Sequence, residues 1–226
     1  AMRFYACGGD GTLLEGIHRL SDKSIPVAAI NFGHLGFLTS ATRDGVEALF
    51  EDIANNRLNL HSRTMLEIEG IAELGGPMTA LNEVAAQRLE ATMIKVEASV
   101  NSQTVAQYNG DGVIVSTPTG STAYSLSVGG PIMVPRTGVF AITPVAPHSL
   151  NVRPIVVRDD WEITLEVSSR SHNFLIAIDG RSETCHEKTR ITIRRAPFNT
   201  RVVKRNGYQL FHTLREKMMW GADARE

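Results

Sequence analysis

The chain has 226 residues, of which 42% are hydrophobic and 21% are charged; this composition fits one or two compact domains and excludes disordered and low-complexity proteins. Its 23 Lys and Arg balance 24 Asp and Glu, so no overall positive field favours nucleic acid, and we expect no nucleic-acid partner. The two cysteines, Cys7 and Cys185, lack metal-ligand spacing, which predicts a reducing, cytoplasmic setting. Apolar runs shorter than the roughly 18 residues of a membrane helix predict no membrane partner.

The N-terminal part of the sequence alternates strand and helix signals. Phe4–Cys7 is a short apolar run, apolar residues recur at helical spacing over Leu13–Leu20, and Ile25–Ile30 has the pattern of a buried strand. This order predicts a β-α-β unit with a parallel pair of strands. A further helix is predicted at Val46–Ile53. We therefore expect a Rossmann-like α/β domain with a parallel sheet over residues 1–60.

The hydrophobic period then changes to two residues. The alternation is clearest in Ile94–Val100, Trp161–Val167 and Ile191–Ile193, and it predicts a mainly antiparallel, β-rich domain over residues 61–207. Helical spacing returns in the last segment, 208–226. We expect this C-terminal helix to pack on the N-terminal domain.

A window of 41 residues, 112–152, is depleted in charge. It contains a single charged residue, Arg136, although a charged fraction of 21% of 41 positions corresponds to roughly nine. The window is rich in Ser, Thr, Gly and Pro, so it is not a membrane helix. We expect it to be buried in a subunit or domain interface, or to line a ligand cleft that uses hydroxyls and backbone amides.

A glycine loop lies between the first predicted strand and helix. Cys7–Thr12 reads CGGDGT, at the place where an α/β sheet presents backbone N–H groups to an anion. A structural alternative is a tight turn before a helix that is capped by a box of Thr12 and Glu15. Asp10 favours the functional interpretation, because a carboxylate repels phosphate unless it accepts a proton, orients a hydroxyl or holds a metal ion.

A second cluster is uncharged and rich in hydroxyl groups. Thr117–Tyr124 reads TPTGSTAY, whose side chains can hydrogen-bond ribose hydroxyls while Tyr124 stacks on a base. The alternative is a Pro/Gly turn that precedes a capped helix. Two further polar spots are Asn82–Glu83 and Asp111. A bulge or a turn is the more frequent explanation for such residues at strand ends, so neither spot alone indicates a function.

These segments together resemble one known family. Gly8–Thr12, Asn82–Glu83, Asp111–Gly112 and Thr117–Tyr124, in this order and at these separations, resemble the NAD kinase family. Further similar segments are Ser127–Pro131, Thr143–Leu150, Arg153–Pro154 and Asp179–Gly180. The resemblance implies a two-domain enzyme that transfers the γ-phosphoryl of ATP, or of polyphosphate, to the adenosine-ribose 2′-hydroxyl of NAD, giving NADP. It also implies Mg²⁺ as cofactor and a homodimer or homotetramer.

The resemblance further implies which residues form the site. Asp10 would face the acceptor hydroxyl as base or orienter, while Asp111 and Ala146 would contact the nicotinamide end, within the subunit or across a subunit boundary. The expected phosphate-binding residues are Gly8, Gly9, Gly11 and Thr12. The expected NAD-binding residues are Asp10, Gly11, Asn82, Glu83, Asn109, Asp111, Thr119, Thr122, Ala123, Tyr124, Ser125, Leu126, Ser127 and Ala146. No metal ligand is assigned.

Two other functions compete with this one. Family members usually carry a further strand and helix ahead of the strand at Phe4–Cys7, so the α/β domain is expected to be truncated. The alternative is therefore a catalytically impaired protein that still binds NAD or NADP. A lipid or sphingoid-base kinase would carry a similar glycine loop, but the acceptor pocket expected here is lined by hydroxyls and lacks an evident apolar channel.

Overall fold

The structure is a computed structural model that describes residues 3–32, 37–207, 209–219 and 221. In chain order its elements are β1 (Phe4–Cys7), α1 (Asp10–Leu20), β2 (Val27–Asn31), β3 (Ala41–Thr42), α2 (Val46–Ala54), β4 (Leu58–Glu69), β5 (Met78–Ala80), β6 (Glu83–Gln87), β7 (Ile94–Val100), β8 (Gln103–Gly110), β9 (Gly112–Ser116), α3 (Tyr124–Ser127), β10 (Val139–Val145), β11 (Ile155–Arg158), β12 (Ile163–Ser169), β13 (Asn173–Ile178), β14 (Arg181–His186), β15 (Arg190–Arg205) and α4 (Leu210–Met218). The described helices fall short of the length and apolarity needed to cross a membrane.

The chain divides into two compact units. Unit 1 comprises residues 1–62 and 200–226, and unit 2 comprises residues 63–199. The division falls at 62 rather than 60 and at 199 rather than 207, because β4 and β15 are long strands that run through both boundaries. The sequence boundaries follow changes in hydrophobic period, and no such change marks the point within a continuous strand where one unit ends and the other begins.

Unit 1 contains the α/β fold that the N-terminal pattern predicts. β1 pairs in parallel with β2 from Phe4↔Val27 to Cys7↔Ile30, and α1 connects the two strands. β2 also pairs in parallel with β3 and with the end of β15. The apolar face of α1 places Leu13 and Ile17, one helical turn apart, in the core. The α/β class is therefore confirmed, and these strand pairs are parallel, although they belong to a mixed sheet.

The C-terminal segment of unit 1 is partly described. The predicted helix over 208–226 corresponds to α4, which buries Thr213 and Leu214. Tyr208, Trp220 and residues 222–226 lie outside the described residues.

Unit 2 is antiparallel and rich in β-structure, as the alternating pattern predicts. One sheet has six strands in the order β11-β10-β9-β6-β13-β14. Other antiparallel pairs join β15 to β12, β12 to β7, β7 to β8 and β4 to β5. The main hydrophobic cluster contains buried side chains from both sets of strands, such as Val96, Leu165, Phe140 and Phe174.

One strand of unit 2 begins later than its pattern predicts. The alternation over Trp161–Val167 corresponds to β12, which starts at Ile163 because a turn closes first: the Trp161 N–H donates to the Arg158 carbonyl at 3.3 Å. Trp161 is therefore exposed instead of being part of the strand. Because Trp161 fits the alternating pattern, the pattern predicts a strand at a position where the structure has a turn.

In the two strands of the uncharged window, burial within a sheet explains the lack of charge, without a subunit interface or a ligand cleft. β9 is buried at every position and pairs with β6 on one side and β10 on the other. β10 is buried from Phe140 to Val145. Charge is excluded from these two strands because they are interior strands of the six-stranded sheet of unit 2.

Candidate active site

The glycine loop of unit 1 connects β1 to α1. The Gly8 N–H donates to the Ile30 carbonyl at 2.9 Å, and the Gly8 φ of 155° lies in a region that side-chain-bearing residues rarely adopt. A Cβ on Gly8 would also lie 2.3 Å from Oγ1 of Thr12. The first glycine of the motif is thus required by the turn itself.

The start of α1 differs from the capping box considered above. The N-cap is Gly9, whose carbonyl accepts the N–H groups of Thr12 and Leu13 at 3.1 and 3.3 Å, and no side chain caps the helix. Thr12 lies inside the first turn, and Glu15 forms an ion pair with Arg19 one turn later. The capping-box interpretation is therefore wrong, since the N-cap is Gly9, three residues before Thr12.

The other two glycines of the loop face open space. A Cβ on Gly9 or Gly11 would meet no atom of the described residues within 4 Å, and both glycines are exposed. Packing therefore does not require glycine at either position. The first N–H groups of a helix have no acceptor within it, and together with the helix dipole they attract anions. Because Gly9 and Gly11 have no side chains, this backbone is accessible to a phosphate.

Asp10 is the first residue of α1 and is half-buried. Its Oδ1 is buried and has no hydrogen-bond partner among the described residues. Buried polar atoms in folded proteins are nearly always paired, so an unpaired carboxylate oxygen at an open helix start needs a cause beyond folding. Asp10 Oδ1 is therefore a candidate ligand-binding atom.

In unit 2, the corner at Asn82–Glu83 is fixed by a distant side chain. Asp179 and Gly180 form the two-residue turn between β13 and β14, with φ values of 46° and 81°. The Asp179 carboxylate accepts the N–H groups of Leu81, Asn82 and Glu83 at 2.6, 2.9 and 3.1 Å. These hydrogen bonds fix the conformation of the backbone that leads into β6.

The hydroxyl-rich turn lies directly on this corner. Thr117 Oγ1 donates to the Leu81 carbonyl at 2.5 Å and accepts the Gly120 N–H at 3.1 Å. A Cβ on Gly120 would lie only 2.0 Å from the Asn82 carbonyl oxygen. The two motifs, which are 35 residues apart from Asn82 to Thr117, therefore form one site in unit 2.

Several hydroxyls of the turn are occupied within the fold. Ser121 Oγ donates to the Pro118 carbonyl at 2.7 Å and accepts the Met133 N–H at 2.9 Å. Ser125 Oγ is buried and lies 3.1 Å from Oγ1 of Thr143. These side chains shape the site and leave its backbone, rather than their own hydroxyls, for a ligand. The Tyr124 side chain, at 38% exposure, remains accessible.

Glu83 is the titratable group of this site with the largest perturbation. Burial raises its pKa to about 8, and the nearby Asp179 charge acts in the same direction, while a backbone hydrogen bond from Tyr124 acts against both. Its Oε2 is buried and has no partner among the described residues. At neutral pH the side chain is mostly a neutral acid, which can donate one hydrogen bond and accept others.

The remaining predicted site residues form a separate group. The Asp111 N–H donates to the Val145 carbonyl at 3.0 Å, and the His148 N–H donates to the Asn109 carbonyl at 2.8 Å, which brings the β8–β9 turn onto the segment at Ala146. Ala146 itself has a φ of 42°. Asp111 also pairs with Arg88 at 3.2 Å, and Asn109 Oδ1 is buried without a partner among the described residues.

Unit 2 does not bring these two groups of residues together. Ser116, at one end of β9, is paired with Glu83, whereas Gly112, at the other end, is paired with Gln87 and Val145. Four residue steps of extended strand span about 13 Å. Asn82–Glu83 and the hydroxyl-rich turn therefore lie at one end of the strand, and Asn109, Asp111 and Ala146 lie at the other.

Comparison with known proteins identifies the family. The model of the ATP-NAD kinase N-terminal domain matches residues 6–58, and that of the ATP-NAD kinase C-terminal domain matches residues 81–205. The chain belongs to the NAD kinase family. An NAD kinase from Bacteroides fragilis is 53% identical over 220 residues, which cover 96% of this chain and 76% of the relative. One from Porphyromonas gingivalis is 44% identical over 221 residues, which cover 96% and 76%.

Solved NAD kinases share the fold. An NAD kinase from Archaeoglobus fulgidus in complex with ATP is 27% identical with a TM-score of 0.80, and the match covers 95% of this chain and 82% of that one. Yeast NADH kinase complexed with NADH has a TM-score of 0.89 at 24% identity, with 99% and 67% covered. The two-domain class, an α/β domain with an antiparallel β-rich domain, is confirmed.

The activity follows from the family. NAD kinases are phosphotransferases, and this chain catalyses the ATP-dependent phosphorylation of NAD to NADP. The alternative of a catalytically impaired NAD-binding protein gains no support from these comparisons. The resemblance carried by the glycine loop, the Asn82–Glu83 corner and the hydroxyl-rich turn is therefore confirmed at the level of family and reaction.

Proposed function

We propose that the two units divide the work of the NAD kinase reaction. Unit 1 binds the phosphates of the donor and acts on the proton of the acceptor hydroxyl, and unit 2 binds NAD. The observation that carries this proposal is the buried, unpaired carboxylate oxygen of Asp10 at the open N-terminus of α1. The helix dipole also favours an acid in the first turn of α1, but it leaves this buried oxygen without a hydrogen-bond partner among the described residues.

Asp10 is the proposed catalytic residue. In phosphoryl transfer the bond between the γ-phosphorus and its bridging oxygen breaks, the acceptor oxygen bonds to phosphorus, and the hydroxyl proton must leave. A carboxylate is a weak base for a sugar hydroxyl, but the loose transition state requires little proton removal early in the reaction. Asp10 therefore serves first to orient the 2′-hydroxyl and then to accept its proton.

The donor phosphates are assigned to Gly8, Gly9, Gly11 and Thr12. Gly9 and Gly11 leave the backbone at the helix start open, which suits ATP, the donor of the family. The same backbone contacts carry no information about a nucleoside base. Polyphosphate is therefore a second donor to be tested beside ATP.

Mg²⁺ is the proposed cofactor. No cluster of three or more His, Cys, Asp or Glu side chains that suits a metal occurs within the described residues. Mg²⁺ fits this chain in another way, since it is commonly held by one or two carboxylates together with substrate phosphates, and the unpaired Oδ1 of Asp10 is a hard oxygen ligand. Bound with ATP, the ion would neutralise phosphate charge.

NAD is assigned to the site at the corner of unit 2. Glu83, as a neutral acid, can donate to one ribose oxygen and accept from another hydroxyl, and the Asn82 amide adds a further donor and acceptor. The Tyr124 ring is exposed enough to stack on a base. The remaining proposed contacts come from Thr119, Thr122, Ala123, Ser125, Leu126 and Ser127.

Asn109, Asp111 and Ala146 are proposed to contact NAD held by a second subunit. They lie at the opposite end of β9 from Glu83, which favours a role in another copy of the site over a role in the same one. This supports a homodimer or homotetramer, and light scattering that finds a monomer at micromolar concentration would contradict it. We also propose a cytoplasmic location, which the free Cys7 and Cys185 support.

The deciding experiment incubates the purified chain with NAD, Mg²⁺ and either ATP or polyphosphate, and measures NADP with a coupled dehydrogenase. Asp10→Asn should lower kcat by about 10²- to 10⁴-fold, the usual contribution of a general base, while NAD binding by calorimetry persists. The matched control is Asp22→Asn, an exposed carboxylate of the same unit. Unchanged NADP production by Asp10→Asn would remove Asp10 from the reaction.

A further inference from the structure

Two residues of unit 2 that face each other across paired strands each bury a polar atom. Ser116, the last residue of β9, is fully buried, and its Oγ has no hydrogen-bond partner among the described residues. Glu83, the first residue of β6, buries its Oε2 without a partner in the same described part of the chain. Buried polar atoms in folded proteins are nearly always paired, so each of these two atoms needs an explanation.

The strand register places the two side chains next to each other. Glu83 and Ser116 are Cα partners in the antiparallel pair of β6 and β9. The neighbouring position of the ladder is the hydrogen-bonded one, since the Thr117 N–H donates to the Asn82 carbonyl at 2.9 Å. Positions alternate along an antiparallel ladder, so Glu83 and Ser116 form a non-hydrogen-bonded pair, in which the Cα atoms are about 4.5 Å apart. Rotation about side-chain single bonds can therefore bring Oγ to Oε2 without a change in the backbone.

The pair lies on the sheet face that carries the hydroxyl-rich turn. Ala85 and Ile114, two positions further into each strand, belong to a small hydrophobic cluster that is separate from the main one. Side chains two positions apart on a strand share a face, so Glu83 and Ser116 lie on the same face as this small cluster. Tyr124, at the end of the turn, donates a backbone hydrogen bond to Glu83. The buried serine is therefore beside the proposed NAD site and outside the main core.

The Ser116 hydroxyl is a suitable donor for the buried oxygen of Glu83. A carboxyl oxygen accepts a hydrogen bond in the ionised and in the neutral acid, and a serine hydroxyl supplies one donor. Two other polar side chains of this corner are already engaged. The Thr117 hydroxyl donates to the Leu81 carbonyl at 2.5 Å, and the Asp179 carboxylate accepts three backbone N–H groups.

We propose that Ser116 is a positioning residue for Glu83 in the NAD complex: its hydroxyl donates to Oε2 and holds the carboxyl group with Oε1 toward a ribose of NAD. Ser116 is buried and acts through Glu83 without touching the ligand. This inference rests on the proposed role of Glu83 in binding NAD. It also gives a reason for the single hydroxyl at the end of β9, whose other residues are glycine, valine and isoleucine.

Calorimetry of NAD binding in the absence of ATP tests the proposal without phosphoryl transfer. Ser116→Ala removes the hydroxyl, and we expect NAD to bind about fivefold more weakly, which corresponds to the loss of one hydrogen bond. Ser116→Cys retains the size of the side chain with a much weaker donor and should show a similar loss. The KM for ATP should be unchanged in both variants. Ser169→Ala, which removes another buried hydroxyl of unit 2, is the matched control and should bind NAD as the wild type does.

A double-mutant cycle tests whether Ser116 acts through Glu83. When Glu83→Ala is already present, Ser116→Ala should change NAD affinity by less than about twofold, because the carboxyl group that the hydroxyl holds is gone. Without NAD, Ser116→Ala should not lower the urea midpoint, since Oγ has no partner among the described residues of the free protein. A hydroxyl needed only for packing would instead lower this midpoint.

Three results would overturn the proposal. Wild-type NAD affinity in Ser116→Ala and Ser116→Cys would show that the hydroxyl has no role in binding. An equal loss of affinity with and without Glu83→Ala would show that Ser116 acts independently of Glu83. A lower urea midpoint with parallel losses of NAD and ATP binding would make Ser116 a packing residue. The proposed role of Glu83 is judged separately, because wild-type NAD affinity in Glu83→Ala alone contradicts it.

Discussion

The glycine loop of unit 1 and the hydroxyl-rich turn of unit 2 use similar small residues for opposite purposes. In the turn, Gly120 is needed because the Asn82 carbonyl occupies the place of a side chain, and the hydroxyls of Thr117 and Ser121 are bonded within the protein. In the loop, Gly9 and Gly11 face nothing, and the Asp10 carboxylate oxygen has no partner among the described residues.

This difference separates two ways of building a nucleotide site. The polar groups of the turn form hydrogen bonds within the protein, so the shape of the turn is set before a ligand binds. Little ordering of the turn therefore remains for NAD to induce. The loop leaves Oδ1 of Asp10 without a hydrogen-bond partner among the described residues, and we propose that the donor phosphates and a metal ion complete its interactions. Substitutions should therefore affect folding in the turn and donor binding in the loop.

The sharpest test of this comparison exchanges glycine for alanine in each region. Gly120→Ala forces a Cβ against the Asn82 carbonyl and should lower the free energy of unfolding by about 3 kcal/mol, with loss of NAD binding. Gly11→Ala adds a Cβ in open space within α1, so it should stabilise the chain by up to about 1 kcal/mol through helix propensity. It should nevertheless raise the KM for ATP, because the methyl group obstructs the phosphates.

Urea denaturation of the two variants measures the predicted changes in the free energy of unfolding, and steady-state kinetics measures the KM for ATP. The comparison fails if Gly120→Ala is as stable as the wild type, which would mean that the turn moves freely away from Asn82. It fails equally if Gly11→Ala leaves the KM for ATP unchanged, since the open space above the loop would then have no role in binding.

The second test concerns how far the corner of unit 2 depends on one carboxylate. Asp179→Asn replaces an acceptor of three N–H groups with an amide whose NH2 can face them, and we expect a loss of about 2 kcal/mol in the free energy of unfolding with weaker NAD binding. Asp160→Asn is the control, because it alters only an exposed pair with Arg158. Equal effects of the two variants would show that the corner holds without Asp179.

The elements of the fold could be predicted because each has a local cause. The apolar run Phe4–Cys7 coincides with β1, and helical spacing around Val46–Ile53 corresponds to α2. The two positions at which the sequence predicts the wrong structure also have local causes. Thr12 resembles a cap in sequence but lies inside α1, since backbone geometry at Gly9 starts the helix earlier. Trp161 has strand character but lies in a turn.

The site could be predicted only in part, because its supporting contacts join distant segments. An Asp-Gly pair at Asp179 signals a hairpin turn, but nothing in the local sequence shows that its carboxylate holds the N–H of Leu81, 98 residues away. Lys217 is likewise one lysine in an ordinary helical pattern, and nothing local shows that its Nζ lies 5.0 Å from the centroid of the Phe37 ring. The motif residues that we propose to contact ligands have recognisable patterns, and the residues that position them do not.

The smallest expected effect comes from Glu83 and tests whether its burial has an energetic cost. Its pKa is about 8 in the fold against 4.5 for a free side chain, so between these values the unfolded chain binds fewer protons and stability falls as pH rises. From pH 6 to pH 7 the ligand-free wild type should lose about 1 kcal/mol relative to Glu83→Gln, whose side chain does not titrate. Urea denaturation at the two pH values measures this difference, and Glu90→Gln, at an exposed position, should follow the wild type. Parallel pH dependence in wild type and Glu83→Gln would mean that Glu83 is ionised in the fold, and its proposed role as a neutral donor to ribose would fall with it.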